Sequence, residues 1–160
     1  MNADCHDLNR FIEAQTPIYS HVTAELAAGR KQSHWMWFIF PQVDGLGTSA
    51  MAQRYAIRSR AEAEAYLAHP LLGSRLVECT RLVLAVPGKS LRDILGTPDD
   101  AKFRSCMTLL MRFVRKRISA PHSTATAMAR VIPPPWPFCS AAPPDVLAAQ
   151  RFTPASSVAC

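Results

Sequence analysis

Lys31, His34, Trp35, Trp37 and Gln42 crowd into one run, Lys31-Gln-Ser-His-Trp-Met-Trp-Phe-Ile-Phe-Pro-Gln-Val-Asp-Gly-Leu-Gly47. These types could do chemistry together. An imidazole near neutrality can accept or return a proton. Indole faces can stack on a ring-bearing ligand. Each residue also has a plainer reading. Trp35 and Trp37 can simply fill a core, and His34 can be a satisfied, half-buried histidine.

Gly45-Leu-Gly47-Thr-Ser49 resembles a phosphate-cradling loop only in outline. It lacks the preceding strand, the third glycine and the lysine, so a tight turn is the simpler reading. A helix starting after Ser49 would still offer backbone N–H groups to an anion. Further along, Lys102, Ser105 and Thr108 recur at i, i+3 and i+6. That face is either solvated or turned to a polar cleft, opposite the apolar Phe103, Met107 and Leu110. Ser105 has no nucleophile-elbow context. No His or carboxylate group falls at metal-ligand spacing, so neither a metal nor a cofactor is expected. The five cysteines, Cys5, Cys79, Cys106, Cys139 and Cys160, are odd in number and widely spaced. They read as reduced thiols rather than a disulfide framework.

Those residues need a scaffold, and residues 1–110 read as a chain of capped helices. Asp7 can cap a helix carrying Leu8, Phe11, Ile12 and Gln15. Pro17 can open a second, which ends at Gly29. The block at 35–40 is a buried helical turn or a short strand, and period alone does not decide. Ser59-Arg-Ala-Glu62 has the form of a capping box for a helix through Ala68. His69 reads as a cap or loop residue before Pro70. That proline starts a helix carrying Leu71, Leu72, Leu76, Leu82 and Leu84, which stops before Pro87-Gly88. Ser90 to Leu95 makes one or two turns closed by Gly96. Thr97-Pro98-Asp99-Asp100 starts the next helix with a cap, a proline and acids against the helix dipole. The expectation is an all-α single domain of five to seven helices with the tryptophan block at its centre.

The chain has 160 residues and a formal net charge of +6. The basic excess is concentrated in residues 111–160, where Asp145 is the single acid, so it is weak evidence for nucleic-acid binding. Eight of the 13 prolines also lie there. This segment reads as an irregular Pro/Ala-rich tail. A shift of reading frame over about residues 118–138 permits the translation FRAALDRYRDGARDPATLAFL, a helix, a glycine turn and a second helix start. We therefore read 111–160 as a frameshift product and 1–110 as a truncated helical domain. No apolar run is long enough to span a membrane, and the start, Met-Asn-Ala-Asp-Cys-His-Asp, lacks the form of a secretory leader. A cytoplasmic protein is expected.

Asp7 to Leu110 resembles the domain-of-unknown-function family numbered 1810, whose members are sometimes labelled "calpastatin". The resemblance rests on Phe11-Ile-Glu-Ala-Gln15, Gly29-Arg-Lys31, Ser33-His-Trp-Met-Trp-Phe-Ile-Phe-Pro-Gln42 and Gly45-Leu-Gly47. It continues in Tyr55-Ala-Ile57, Tyr66-Leu-Ala-His-Pro70, Leu72-Gly-Ser-Arg-Leu76 and Lys102-Phe-Arg-Ser-Cys-Met-Thr-Leu109. It implies a compact, mainly helical domain and no particular reaction. The calpastatin label carries nothing here, because those inhibitors are extended repeats and this chain has the periodicity of a packed domain.

Two functional readings remain open, and whether the chain is an enzyme is undecided. One is a domain that binds or acts on a nucleotide-like or other ring-bearing small molecule. His34, Lys31 and Lys102 would be its catalytic candidates, and Trp35, Trp37, Gln42, Gly45, Gly47 and Ser105 its ligand contacts. The other is a non-catalytic protein–protein interaction module.

Overall fold

The computed structural model describes residues 6–117, with side chains to residue 110. Residues 118–160, and with them most of the expected irregular tail, lie outside the described residues, as do Cys5, Cys139 and Cys160. The described chain is all-α, with eight helices against the five to seven expected: α1 (Asn9–Gln15), α2 (Tyr19–Ala27), α3 (Met36–Ile39), α4 (Ala50–Arg54), α5 (Arg60–Ala68), α6 (Pro70–Ala85), α7 (Leu91–Leu95) and α8 (Asp99–Arg117). The larger count comes from short pieces, since α3, α4 and α7 are single turns. α8 continues to Arg117, past the change of texture at Leu110. Nothing in 111–117 breaks a helix, and the next proline is Pro121.

Local chemistry accounts for most boundaries. Gly29 ends α2 at φ +62°, and a Cβ there would sit 2.7 Å from Val86 Cγ1. His69 caps α6 through Nδ1, which accepts from the N–H groups of Leu71 and Leu72, and Pro70 supplies the N1 residue. Ser90 and Asp93 form a reciprocal capping box on α7. Three expected caps differ. Asp7 does not cap α1 with its side chain; its carbonyl accepts from Arg10 Nη1 at 2.7 Å instead. Ser59 caps α5, but the Glu62 carboxylate turns away from it to accept from Arg58 N and to pair with Arg10. The Thr97 hydroxyl accepts from Arg92 Nε at 2.9 Å. In the last two an arginine has taken the hydroxyl or carboxylate concerned.

α6 is the long central element, with α2, α5, α1 and α3 packed on it, while α8 lies against α5 and α7. The 35–40 block resolves into the buried turn α3. Aromatic edges tie this core together. Phe40 meets Phe103 of α8 edge-on at 4.9 Å, and Phe11 meets Tyr66 at 5.0 Å. A single parallel bridge, Val43 to Ile57, fixes the loop that follows α3. No described helix is long and apolar enough to cross a membrane.

Candidate functional site

The segment 30–35 has no secondary structure of its own, so side chains must fix it. Glu25, buried on α2, does this. Its carboxylate accepts from Gln32 N (2.8 Å), Ser33 N (3.2 Å), Ser33 Oγ (2.7 Å) and Trp35 Nε1 (2.8 Å). The exposed His21 Nε2 lies 2.9 Å from Oε1, the oxygen that also accepts from Ser33 Oγ. Burial alone would raise the Glu25 pKa, but the donors from Gln32, Ser33 and Trp35 outweigh it and hold the group at about 2. Ser33, Glu25 and His21 share the residue types of a hydrolytic triad, yet the carboxylate stands between the other two. A triad needs the imidazole in that place. This cluster is therefore a clamp for the loop.

The clamp positions Lys31, whose backbone N–H donates to Ile94 O at 2.7 Å. Its ammonium lies 2.6 Å from Asp99 Oδ2 and 5.1 Å from the centre of the Trp35 ring. The other oxygen of Asp99 takes Lys102 Nζ at 2.7 Å, and that ammonium lies 4.9 Å from the centre of the Trp37 ring. One carboxylate thus holds two ammonium groups, and each ammonium lies over an indole. The three side chains are 9 % (Lys31), 14 % (Asp99) and 23 % (Lys102) exposed. Burial would raise the Asp99 pKa, but hydrogen bonds and charge from Lys102 and Lys31 lower it, so it is a carboxylate at neutral pH. Gln42 Nε2 reaches Lys102 O at 3.5 Å and joins the loop after α3 to this corner.

The structure therefore brings together Lys31, Trp37, Gln42 and Lys102. Trp35 belongs to the core. Its ring has no exposed surface and its N–H is spent on Glu25, so it supports Lys31 from below and cannot stack on a ligand. Trp37 is half-buried and is the indole with accessible surface. His34 is exposed in the same loop. Gly45 and Gly47 belong to the turn leading into α4. Gly45 takes φ +87°, and a Cβ on Gly47 would meet Ala52 Cβ at 2.5 Å. The glycines are thus required by the turn itself, and single-turn α4 is too short to offer a helix-end anion site. Ser105 is buried on α8, and its hydroxyl has no hydrogen-bond partner among the described residues. No base activates it.

Sequence reasoning missed Asp99 and Glu25 as site residues. Asp99 stands three residues before Lys102, and that i, i+3 spacing was a usable signal of pairing. Glu25 gave none, because its donors come from a loop whose path the sequence does not specify. Thiol chemistry is unsupported here. Burial pushes the Cys79 thiol up to about 12 and raises that of Cys106 as well, so neither is an available thiolate. Among the described residues no three His, Cys, Asp or Glu side chains gather as a metal site.

Comparison with known proteins agrees with this architecture. The chain is similar to a solved structure, the conserved hypothetical protein Rv1873 from Mycobacterium tuberculosis. The two are 58% identical, with a TM-score of 0.67, over 68% of this chain and 78% of that one. No curated protein matches. The family described as protein of unknown function (DUF1810) matches residues 5–127, and the chain belongs to that family.

Proposed function

We propose that the chain is a small-molecule binding domain whose ligand carries a ring, nucleotide-like or otherwise. The ligand is held where Lys31, Trp37, Gln42 and Lys102 meet. The observation that carries this reading is the pair of ammonium groups on Asp99 beside a half-buried indole. Trp37 offers the ring face, and the lysines offer directed charge next to it. His34, exposed in the adjoining loop, is the imidazole we assign as a base on such a ligand.

The test is calorimetric titration of the full chain with adenosine and with adenosine monophosphate, repeated on Trp37→Leu. Losing a stacking partner should weaken whichever compound binds by roughly tenfold or more. Equal affinity in the variant would defeat the ring reading.

The interaction-module reading has less support. Among the described residues the exposed large apolar side chains are Met51, Leu71 and Leu84. Leu71 and Leu84 lie at opposite ends of α6, roughly 20 Å apart at the rise of a helix, and do not form one patch.

A cytoplasmic location is part of the same proposal, supported by the free, buried thiols of Cys79 and Cys106. We also propose that residues 111–160 are a frameshift product joined to a truncated domain. Resequencing the gene across codons 105–115 separates its two sources: an inserted or missing base means a sequencing error and a restored helical C-terminus, and a confirmed frame means a truncated family member with a novel tail.

A further inference from the structure

Two cations share one anion in this corner. Lys31 comes from the loop after α2, Lys102 from the first turn of α8, and Asp99 is the one carboxylate that bonds either ammonium among the described residues. Each lysine is thus half-compensated although its side chain is largely buried, which is costly unless further negative charge is supplied. Lys89 adds a third ammonium nearby, its Nζ donating to Gly29 O at 2.9 Å, two residues from Lys31. The carboxylates of Asp93 and Glu25 cap α7 and hold the 30–35 loop, and neither is bonded to Lys31 or Lys102. Gln42 Nε2 lies 3.5 Å from the backbone carbonyl of Lys102 and ties the loop after α3 to the start of α8.

We infer that Asp99 is a built-in placeholder for an anion, and that the ligand of this site carries a phosphoryl group that takes over the ammonium groups of Lys31 and Lys102. The inference rests on the ring-binding reading and names the charge of its ligand. Two ammonium groups arriving from different elements suit the several oxygens of a tetrahedral phosphate monoester. A planar carboxylate would only duplicate what Asp99 already provides. Asp99 then has two roles. It keeps the lysines gathered when the site is empty, and it competes with the phosphoryl group for them.

That competition has a signature that a structural ion pair would not show. Adenosine monophosphate should bind the full chain roughly tenfold to a hundredfold more tightly than adenosine, and the advantage should shrink as salt rises. Lys102→Gln should remove most of that advantage. Asp99→Asn, which deletes the competitor, should raise the affinity for adenosine monophosphate relative to that for adenosine. Inorganic phosphate is the third probe. Phosphate binding that depends on Lys102, without any adenosine binding, upholds the anion site and overturns the ring reading. Equal affinity for adenosine and adenosine monophosphate overturns the anion site and leaves the ring reading standing. Weaker binding of adenosine monophosphate to a folded Asp99→Asn also overturns the placeholder role. No binding of any of the three probes overturns both.

Discussion

Trp35 Nε1 donates to Glu25 Oε2 at 2.8 Å, so the largest side chain in the core is fixed by a carboxylate on another helix. The bond sets the tilt of the indole, and the indole in turn carries Lys31 on its face.

Replacing Trp35 separates packing from hydrogen bonding. Trp35→Ala should cost about 3–5 kcal/mol, the usual penalty for emptying a large aromatic site. Trp35→Phe keeps much of the volume but strands one Glu25 acceptor, so it should cost less, about 1–3 kcal/mol. Urea denaturation checks both. An unchanged midpoint for Trp35→Ala is incompatible with its place in the core.

Glu25 also predicts an acid response. Its pKa in the fold is about 2, below an ordinary value of 4.5. A depressed carboxylate contributes stability that is fully present above the unfolded value and is lost as pH falls toward the folded one. The contribution is on the order of 3 kcal/mol and should disappear between about pH 4.5 and pH 2. Glu25→Gln should lower stability at pH 7 and flatten the curve in that window. Some slope should survive because Asp99 is depressed too. Denaturation midpoints from pH 7 to pH 2 provide the measurement, and parallel curves for variant and wild type would reject this account.

Arg10 and Glu62 form a buried ion pair, and the same guanidinium donates to the carbonyls of Arg54 (2.9 Å) and Ala56 (3.0 Å). Arg10→Met should cost about 3–5 kcal/mol, because it leaves a buried carboxylate unpaired. Adding Glu62→Leu should recover only part of the loss, since the carbonyls of His6, Asp7, Arg54 and Ala56 still lack their donor. Complete recovery in thermal melts would mean that those carbonyl bonds contribute nothing.

Gly73, inside α6, reverses the usual helix rule. Alanine normally improves a helix interior by about 1 kcal/mol. Here a Cβ would overlap the backbone carbonyl oxygen of Leu67, which cannot swing aside as a side chain could. Gly73→Ala should therefore destabilise, by about 1–3 kcal/mol. A raised melting temperature would show that α5 and α6 can separate slightly at no cost.

Features set by neighbouring residues were legible in the sequence. Gly29, Ser90, Gly96 and the His69-Pro70 cap all stand where a helix end needs them, because capping depends on a few adjacent atoms. The core residues of α8, Phe103, Met107 and Leu110, followed from helical spacing. The division of labour between Trp35 and Trp37 was not legible. It depends on whether the block is helical or extended, and a four-residue turn is too short to show a period. Asp99 and Glu25 were missed for another reason. Each acts through partners brought near by packing, and the sequence lists the partners without placing them.

The bond between Lys31 and Asp99 also orders events during synthesis. Lys31 leaves the ribosome early, and its carboxylate partner belongs to the last helix described. The corner that gathers Lys31 and Lys102 cannot assemble on the nascent chain until α8 has emerged and docked. Until then Lys31 lacks its carboxylate and stands beside an incomplete core, so this corner is among the last parts of the domain to mature.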